Sequence, residues 1–132
     1  MQYTNRPPGT SAAALQRLEV KFDTALPPDL KQFWLQSDGA VLWFGYKELQ
    51  FFPVKSIFED DLYDLDQYMP GALPLCMDGN GNICVARIEA REIEGYYVAS
   101  CGDLDWSSAV KIADEFSQFV RDPLSPERRL YV

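Results

Sequence analysis

The sequence predicts an α+β fold: a central, mostly antiparallel β-sheet with two N-terminal helices and one C-terminal helix packed against it. Three observations carry this expectation. Leu73 to Cys101 reads as apolar runs separated by turn residues, the pattern of a three-stranded meander. Two amphipathic helical patterns come before it and one comes after. Helical and extended patterns are grouped rather than alternating, which favours α+β over a doubly wound arrangement.

The meander is the clearest element. Asp78-Gly79-Asn80-Gly81-Asn82 lies between Leu73–Met77 and Ile83–Ile88. These five residues tolerate positive φ or bond their own backbone, and Asn-Gly between apolar runs signals a hairpin. An odd-length loop pairs Met77 with Ile83, Cys76 with Cys84 and Leu75 with Val85, which groups large apolar side chains on one face, whereas a two-residue Asn-Gly loop would offset these pairs by one. A second break, Arg91 to Gly95, precedes the third strand, Tyr96–Cys101.

From the N-terminus, residues 1–10 contain Pro7-Pro8-Gly9 and little apolar matter, so a mobile arm is expected. A single domain follows over residues 11–123, with a tail at 124–132. Ser11 caps a helix running to about Phe22, with Leu15, Leu18 and Phe22 on its buried face. Leu26-Pro27-Pro28 opens the second helix, whose stripe is Leu30, Phe33 and Trp34. Ser37-Asp38-Gly39 ends it. Val41–Tyr46 and Leu49–Phe52 are extended, and Pro53 makes the second an edge strand or stops it. Lys55 to Gly71 forms short helical turns, with Leu62, Leu65 and Tyr68 facing inward. A closing helix begins at Ser107 or Ser108 and carries Ala109, Ile112, Ala113, Phe116, Phe119 and Val120 at helical spacing. Pro123 terminates it.

The chain has 132 residues, 47% hydrophobic and 14% aromatic, enough for one globular core without staples. No apolar run approaches a membrane span and no signal-peptide core is present, so a cytoplasmic location is expected. Three cysteines without C-x-x-C spacing fit reduced thiols rather than a disulfide framework or a zinc site. The net charge is −8. Residues 59–105 carry eleven acids and two bases, whereas the flanking regions sum to +1 and 0. That concentration disfavours nucleic acid and anionic membrane, and suits either solubility or a basic protein partner.

Catalytic chemistry finds little support. No histidine occurs, which removes the commonest general base and imidazole metal ligation. Asp78-x-Asn80-x-Asn82, with Glu89 at the twelfth position, resembles a calcium loop, but Ile83 stands where that loop needs glycine and no helices flank it. A hairpin turn explains the same residues without an ion, and no metal or cofactor is expected. The acid run Glu59, Asp60, Asp61, Asp64 and Asp66 reads as a solvated face or as part of a surface for a basic partner. The aromatics of Val41–Phe52, including Trp43 and Tyr46, serve the core or line a ligand pocket.

The order of these motifs resembles the SUKH superfamily, named for the fungal cell-wall regulator Smi/Knr and bacterial relatives. The resemblance spans Ala12 to Val120. It rests on the first helix, on Leu26-Pro27, and on Leu30–Leu35 running into Ser37-Asp38-Gly39. It continues through Phe51-Phe52-Pro53, Leu73-Pro74-Leu75, the Asp78–Asn82 turn, and the closing residues Ala113, Phe116 and Phe119. Asp38 and Asn82 depart from the family's usual asparagine and aspartate. The resemblance implies a non-enzymatic protein-binding domain. Bacterial members are commonly immunity proteins that neutralise a polymorphic toxin, often a nuclease, and fungal members are scaffolds. A small-molecule-binding domain is a third class. On the immunity reading, Glu59, Asp60, Asp61, Asp64, Asp66, Trp43 and Tyr46 are the candidate partner-binding residues.

Overall fold

The computed structural model describes residues 2–45 and 47–121. Seven strands form one antiparallel sheet in sequential order: β1 (Gln2–Asn5), β2 (Val41–Trp43), β3 (Glu48–Phe51), β4 (Ala72–Met77), β5 (Asn82–Glu89), β6 (Glu92–Ser100) and β7 (Val110–Ala113). Five helices accompany it: α1 (Ala12–Phe22), α2 (Pro28–Gln36), α3 (Val54–Glu59), α4 (Leu65–Tyr68) and α5 (Phe116–Arg121). The α+β architecture with helices against a central antiparallel sheet is therefore present. Among the described residues no helix is long and apolar enough to cross a membrane.

The N-terminal helices form for the expected reasons. Ser11 Oγ accepts the Ala14 amide at 3.1 Å and caps α1. Pro27 and Pro28 open α2, where their missing N–H groups cost nothing. Leu15, Leu18, Leu30 and Trp34 are buried on one face of the sheet, together with Leu42, Leu49, Phe51, Tyr96, Phe116 and Phe119. A smaller core covers the other face: Ile83, Val85, Tyr97 and Ala99 lie beneath Leu65 and Met69, with Trp106 alongside.

Four expectations need correction. The proline-rich start is not a mobile arm, because β1 pairs with β2 and the next residues dock on α2 and its end. Ser37 Oγ donates to the Pro7 carbonyl at 2.7 Å, the Asp38 amide to Pro8 at 3.0 Å, and the Thr10 amide to the Trp34 carbonyl at 3.0 Å. Prolines suit this path since their carbonyls serve as acceptors and no N–H is left unpaired. Second, the closing helix is shorter than its periodicity. Its first half is β7, which pairs with Tyr96–Val98 and protects an otherwise open sheet edge. Third, the meander register agrees at Met77–Ile83 and Cys76–Cys84, but Pro74, not Leu75, pairs with Val85. Proline cannot donate to the ladder, so the strand bulges there. Leu75 consequently joins the helix-side core, while Ile83 and Val85 face the other way. Fourth, the second hairpin turns at Ala90-Arg91, and Glu92 already belongs to β6. Pro53 stops β3 and caps α3 rather than marking an edge, because β3 lies between β2 and β4. The tail at 124–132 lies outside the described residues.

Candidate protein-binding surface

The acidic segment is built from three short pieces. Val54 and Ile57 bury one side of α3, and the Val54 amide donates to Asp38 Oδ1 at 2.7 Å. At the other end of α3, Lys21 Nζ donates to the carbonyls of Ile57 and Phe58 at 2.9 and 2.6 Å. An ammonium there satisfies orphan carbonyls and meets the negative end of the helix. The chain then passes through a 3-10 turn, Leu62–Asp64, in which Tyr63 and Asp64 have φ of 58° and 55°. Consecutive left-handed residues other than glycine are strained, so something must hold them. Leu65 of α4 and Met69 just after it are buried in the smaller core and anchor the segment, whereas Tyr68 points outward and is 52% exposed.

Glu59, Asp60, Asp61, Asp64 and Asp66 are all exposed. Asp61 Oδ1 accepts the Asp66 amide at 3.4 Å, and no ion pair among the described residues neutralises any of the five.

Sheet register places Trp43 on the face that carries the smaller core. Trp43 pairs with Glu48, Val41 with Gln50, Gln50 with Met77, and Met77 with Ile83. Directly opposed residues share a face. Ile83 lies in the core under α4, so Trp43, Glu48 and Gln50 occupy the part of that face which no helix covers. Tyr63 stands at the border, its hydroxyl 3.9 Å from Met77 Sδ and its ring 6.5 Å from the Phe52 ring. Trp43 is 36% exposed and Tyr63 40%. Trp43 thus lies on the face of the smaller core, while the acids run from the end of α3, on the helix side, to Asp64 and Asp66 on either side of Leu65. Tyr46 lies outside the described residues. The other strand aromatics divide: Phe51 goes to the helix-side core, 4.7 Å from Phe33, and does not line this surface. Sequence reasoning missed Tyr63 because it looked like one more surface residue in an acid run.

The Asp78–Asn82 turn has a structural chemistry of its own. Gly79 and Gly81 adopt φ of 77° and 84°. Asp78 Oδ1 accepts the Asn80 and Asn82 amides at 2.8 and 3.2 Å, and Oδ2 accepts Asn82 Nδ2 at 2.9 Å. Oδ2 also receives Lys47 Nζ at 3.0 Å, in a pair whose side chains are 0% and 2% exposed. Burial opposes the charge, but the bonds from Asn82, Asn80 and Lys47 outweigh it and hold the Asp78 carboxyl below its ordinary range. The oxygens that a calcium loop would offer are therefore engaged by the turn and by Lys47. Beside them, Cys76 and Cys84 are free and buried. Burial, followed by the bond to Cys84, pushes the Cys76 thiol well up and keeps it protonated.

No curated protein sequence matches the chain closely enough to count as a relative. The sequence profile of the SMI1/KNR4 family (SUKH-1) matches residues 9–122, which takes in all five helices and the strands from β2 to β7. The chain therefore belongs to the SMI1/KNR4 family (SUKH-1).

Proposed function

We propose that this chain is a cytoplasmic immunity protein that binds and neutralises a basic toxin domain, without chemistry of its own. The observation that carries the reading is the exposed acidic segment, Glu59 to Asp66, together with two exposed aromatics, Trp43 on the sheet and Tyr63 within the segment itself. A nuclease must be basic to hold its substrate, and an acidic inhibitor meets it quickly and can exclude that substrate. Exposed aromatics supply the anchors that charge alone does not. Membership of the family supports a protein-binding role at the coarser level.

The test is coexpression with toxin domains encoded beside this chain's gene. Replacing Glu59, Asp60, Asp61, Asp64 and Asp66 by Gln or Asn should preserve the circular dichroism spectrum, lower k_on by about tenfold or more at low salt, and weaken protection. Unchanged rates at low and high salt would reduce the segment to a solvated face. A scaffold role of the Smi/Knr kind would use the same surface; partners that are not toxins, binding with the same dependence on these acids, would favour it.

A further inference from the structure

On the outer face of α1 and α3, two depressions of about 430 and 400 Å³ meet at Arg17 and Phe58, which line both. The larger one has an apolar floor. Val20 there is 77% exposed, more than any other large hydrophobic side chain among the described residues, and Phe58 is 39% exposed. Cations flank that ring: Arg17 Cζ and Lys21 Nζ each lie 5.8 Å from its centroid, which holds Phe58 in place without covering it. Lys55 borders the smaller depression.

These side chains do little for the helix that carries them. Val20 is β-branched and exposed where alanine would favour α1 more, and Arg17 and Lys21 are like charges one turn apart. Lys21 has a use within the chain, on the Ile57 and Phe58 carbonyls. Lys31, Lys47, Arg87, Arg91 and Lys111 each meet a carboxylate. Arg17, Lys21 and Lys55 form no ion pair among the described residues, and all three border this groove. Two acids also line the smaller depression. Asp38 is turned to the Val54 amide at 2.7 Å, and Glu59 is exposed without pairing to any of the three cations. In a chain of net charge −8, uncovered apolar surface and unpaired positive charge thus coincide here.

We propose that this groove receives an apolar side chain flanked by a carboxylate, presented by a protein partner. The apolar group, leucine or phenylalanine, covers Val20 and the exposed part of Phe58, and the carboxylate takes the Arg17 guanidinium, with Lys55 as a second cation. A small free anion would leave the apolar floor wet. An anionic membrane would present its charge to Glu59 and the acids after it as well as to the groove, and they would repel it. A side chain entering the groove avoids that repulsion. None of the acids of the 59–66 segment takes part in the contact, so the site stands or falls independently of the immunity reading.

Isotope-labelled protein titrated with three blocked peptides decides the matter. One has a central Leu-Phe pair between glutamates, the second has glutamines in place of the glutamates, and the third has alanines in place of the apolar pair. The first should give saturable amide shifts at Arg17, Val20 and Phe58, and bind about fivefold or more tighter than either of the others. Arg17→Gln and Val20→Ser should each weaken it about threefold or more while leaving the melting temperature unchanged, because both side chains are exposed. Equal affinity for the glutamine peptide or for the alanine peptide, or no saturable shifts at the groove, overturns the proposal. So does an Arg17→Gln variant that melts several degrees lower, because the guanidinium would then serve the fold through Phe58. Vesicles of phosphatidylcholine and phosphatidylglycerol should not bind. Vesicle binding that Arg17→Gln abolishes would make this face a membrane surface and overturn the assignment to a protein.

Discussion

Lys47 and Asp78 are taken out of water together, 31 residues apart in sequence, and bind the β2–β3 connection to the β4–β5 turn. Nothing local announces such a pair, since each residue alone reads as an ordinary loop charge. The turn itself was legible because glycine and asparagine encode positive φ directly, and Gly79 and Gly81 do adopt it. Removing one member of a buried pair strands the other, so Lys47→Met should cost roughly 3 kcal/mol in urea unfolding. Adding Asp78→Asn to it should recover part of that loss. A double variant no more stable than the single one would show that the Asn80 and Asn82 bonds, rather than the ion pair, need the carboxylate. The pH dependence has a definite sign. The folded Asp78 carboxyl titrates below its unfolded value, so its contribution is complete above about pH 4 and is lost as the pH falls through the folded value. Unfolding measured between neutral and acid pH should fall more steeply for the native chain than for Asp78→Asn.

The elements that sequence periodicity describes well are those whose pattern admits one reading. α1 and α2 combine a stripe with a cap or prolines, and both form where expected. Val110–Ala113 does not discriminate: Val110 and Ile112 suit a strand as well as a helix, and the open edge of β6 decides. Phe116 and Phe119 keep their inward role in either case. Phe116 packs against Phe33 at 5.1 Å, Tyr96 at 5.8 Å and Phe119 at 6.0 Å. Phe116→Ala should therefore cost roughly 3–5 kcal/mol, and a loss below about 1 kcal/mol in denaturant melts would contradict this packing. The β5–β6 hairpin departs from its sequence pattern for a different reason. It turns through Ala90 and Arg91, with φ of 50° and 65°, where a two-residue hairpin ordinarily uses Asn-Gly. The Arg91 carbonyl accepts the Ala25 amide and Thr24 Oγ1, both at 3.2 Å, so tertiary contacts fix a turn that its own residues disfavour. Ala90→Asn with Arg91→Gly keeps that carbonyl and relieves the strain. The pair should stabilise the chain by about 1–2 kcal/mol, and a lower melting temperature would mean that the exposed Arg91–Asp23 ion pair matters more than such pairs usually do.

At the scale of the molecule, the charge imbalance is visible in sequence but its placement is not. Two segments far apart in the chain meet in the smaller core: Leu65 and Met69, and the loop between β6 and β7, whose Trp106 Nε1 donates to the Pro70 carbonyl at 2.8 Å. Asp103 and Asp105 are exposed on that loop, and Asp64 and Asp66 are exposed on either side of the buried Leu65. The opposite side is buried under α1, α2, α3 and α5, with Glu59 at the end of α3, and strand periodicity alone places neither set of acids. Coulombic fields from neighbouring charges add, and at low ionic strength their reach exceeds the size of either segment. If both segments steer a basic partner, the salt dependence of association should follow the total charge removed. Adding Asp103→Asn and Asp105→Asn to the five substitutions in 59–66 should lower k_on further and flatten its dependence on ionic strength, with k_off little changed. Asp105 also accepts the Ser107 amide at 2.9 Å, so Asp103→Asn alone must move the rate in the same direction if charge rather than loop geometry is responsible. Identical rates for the five-site and seven-site variants across salt would confine steering to residues 59–66.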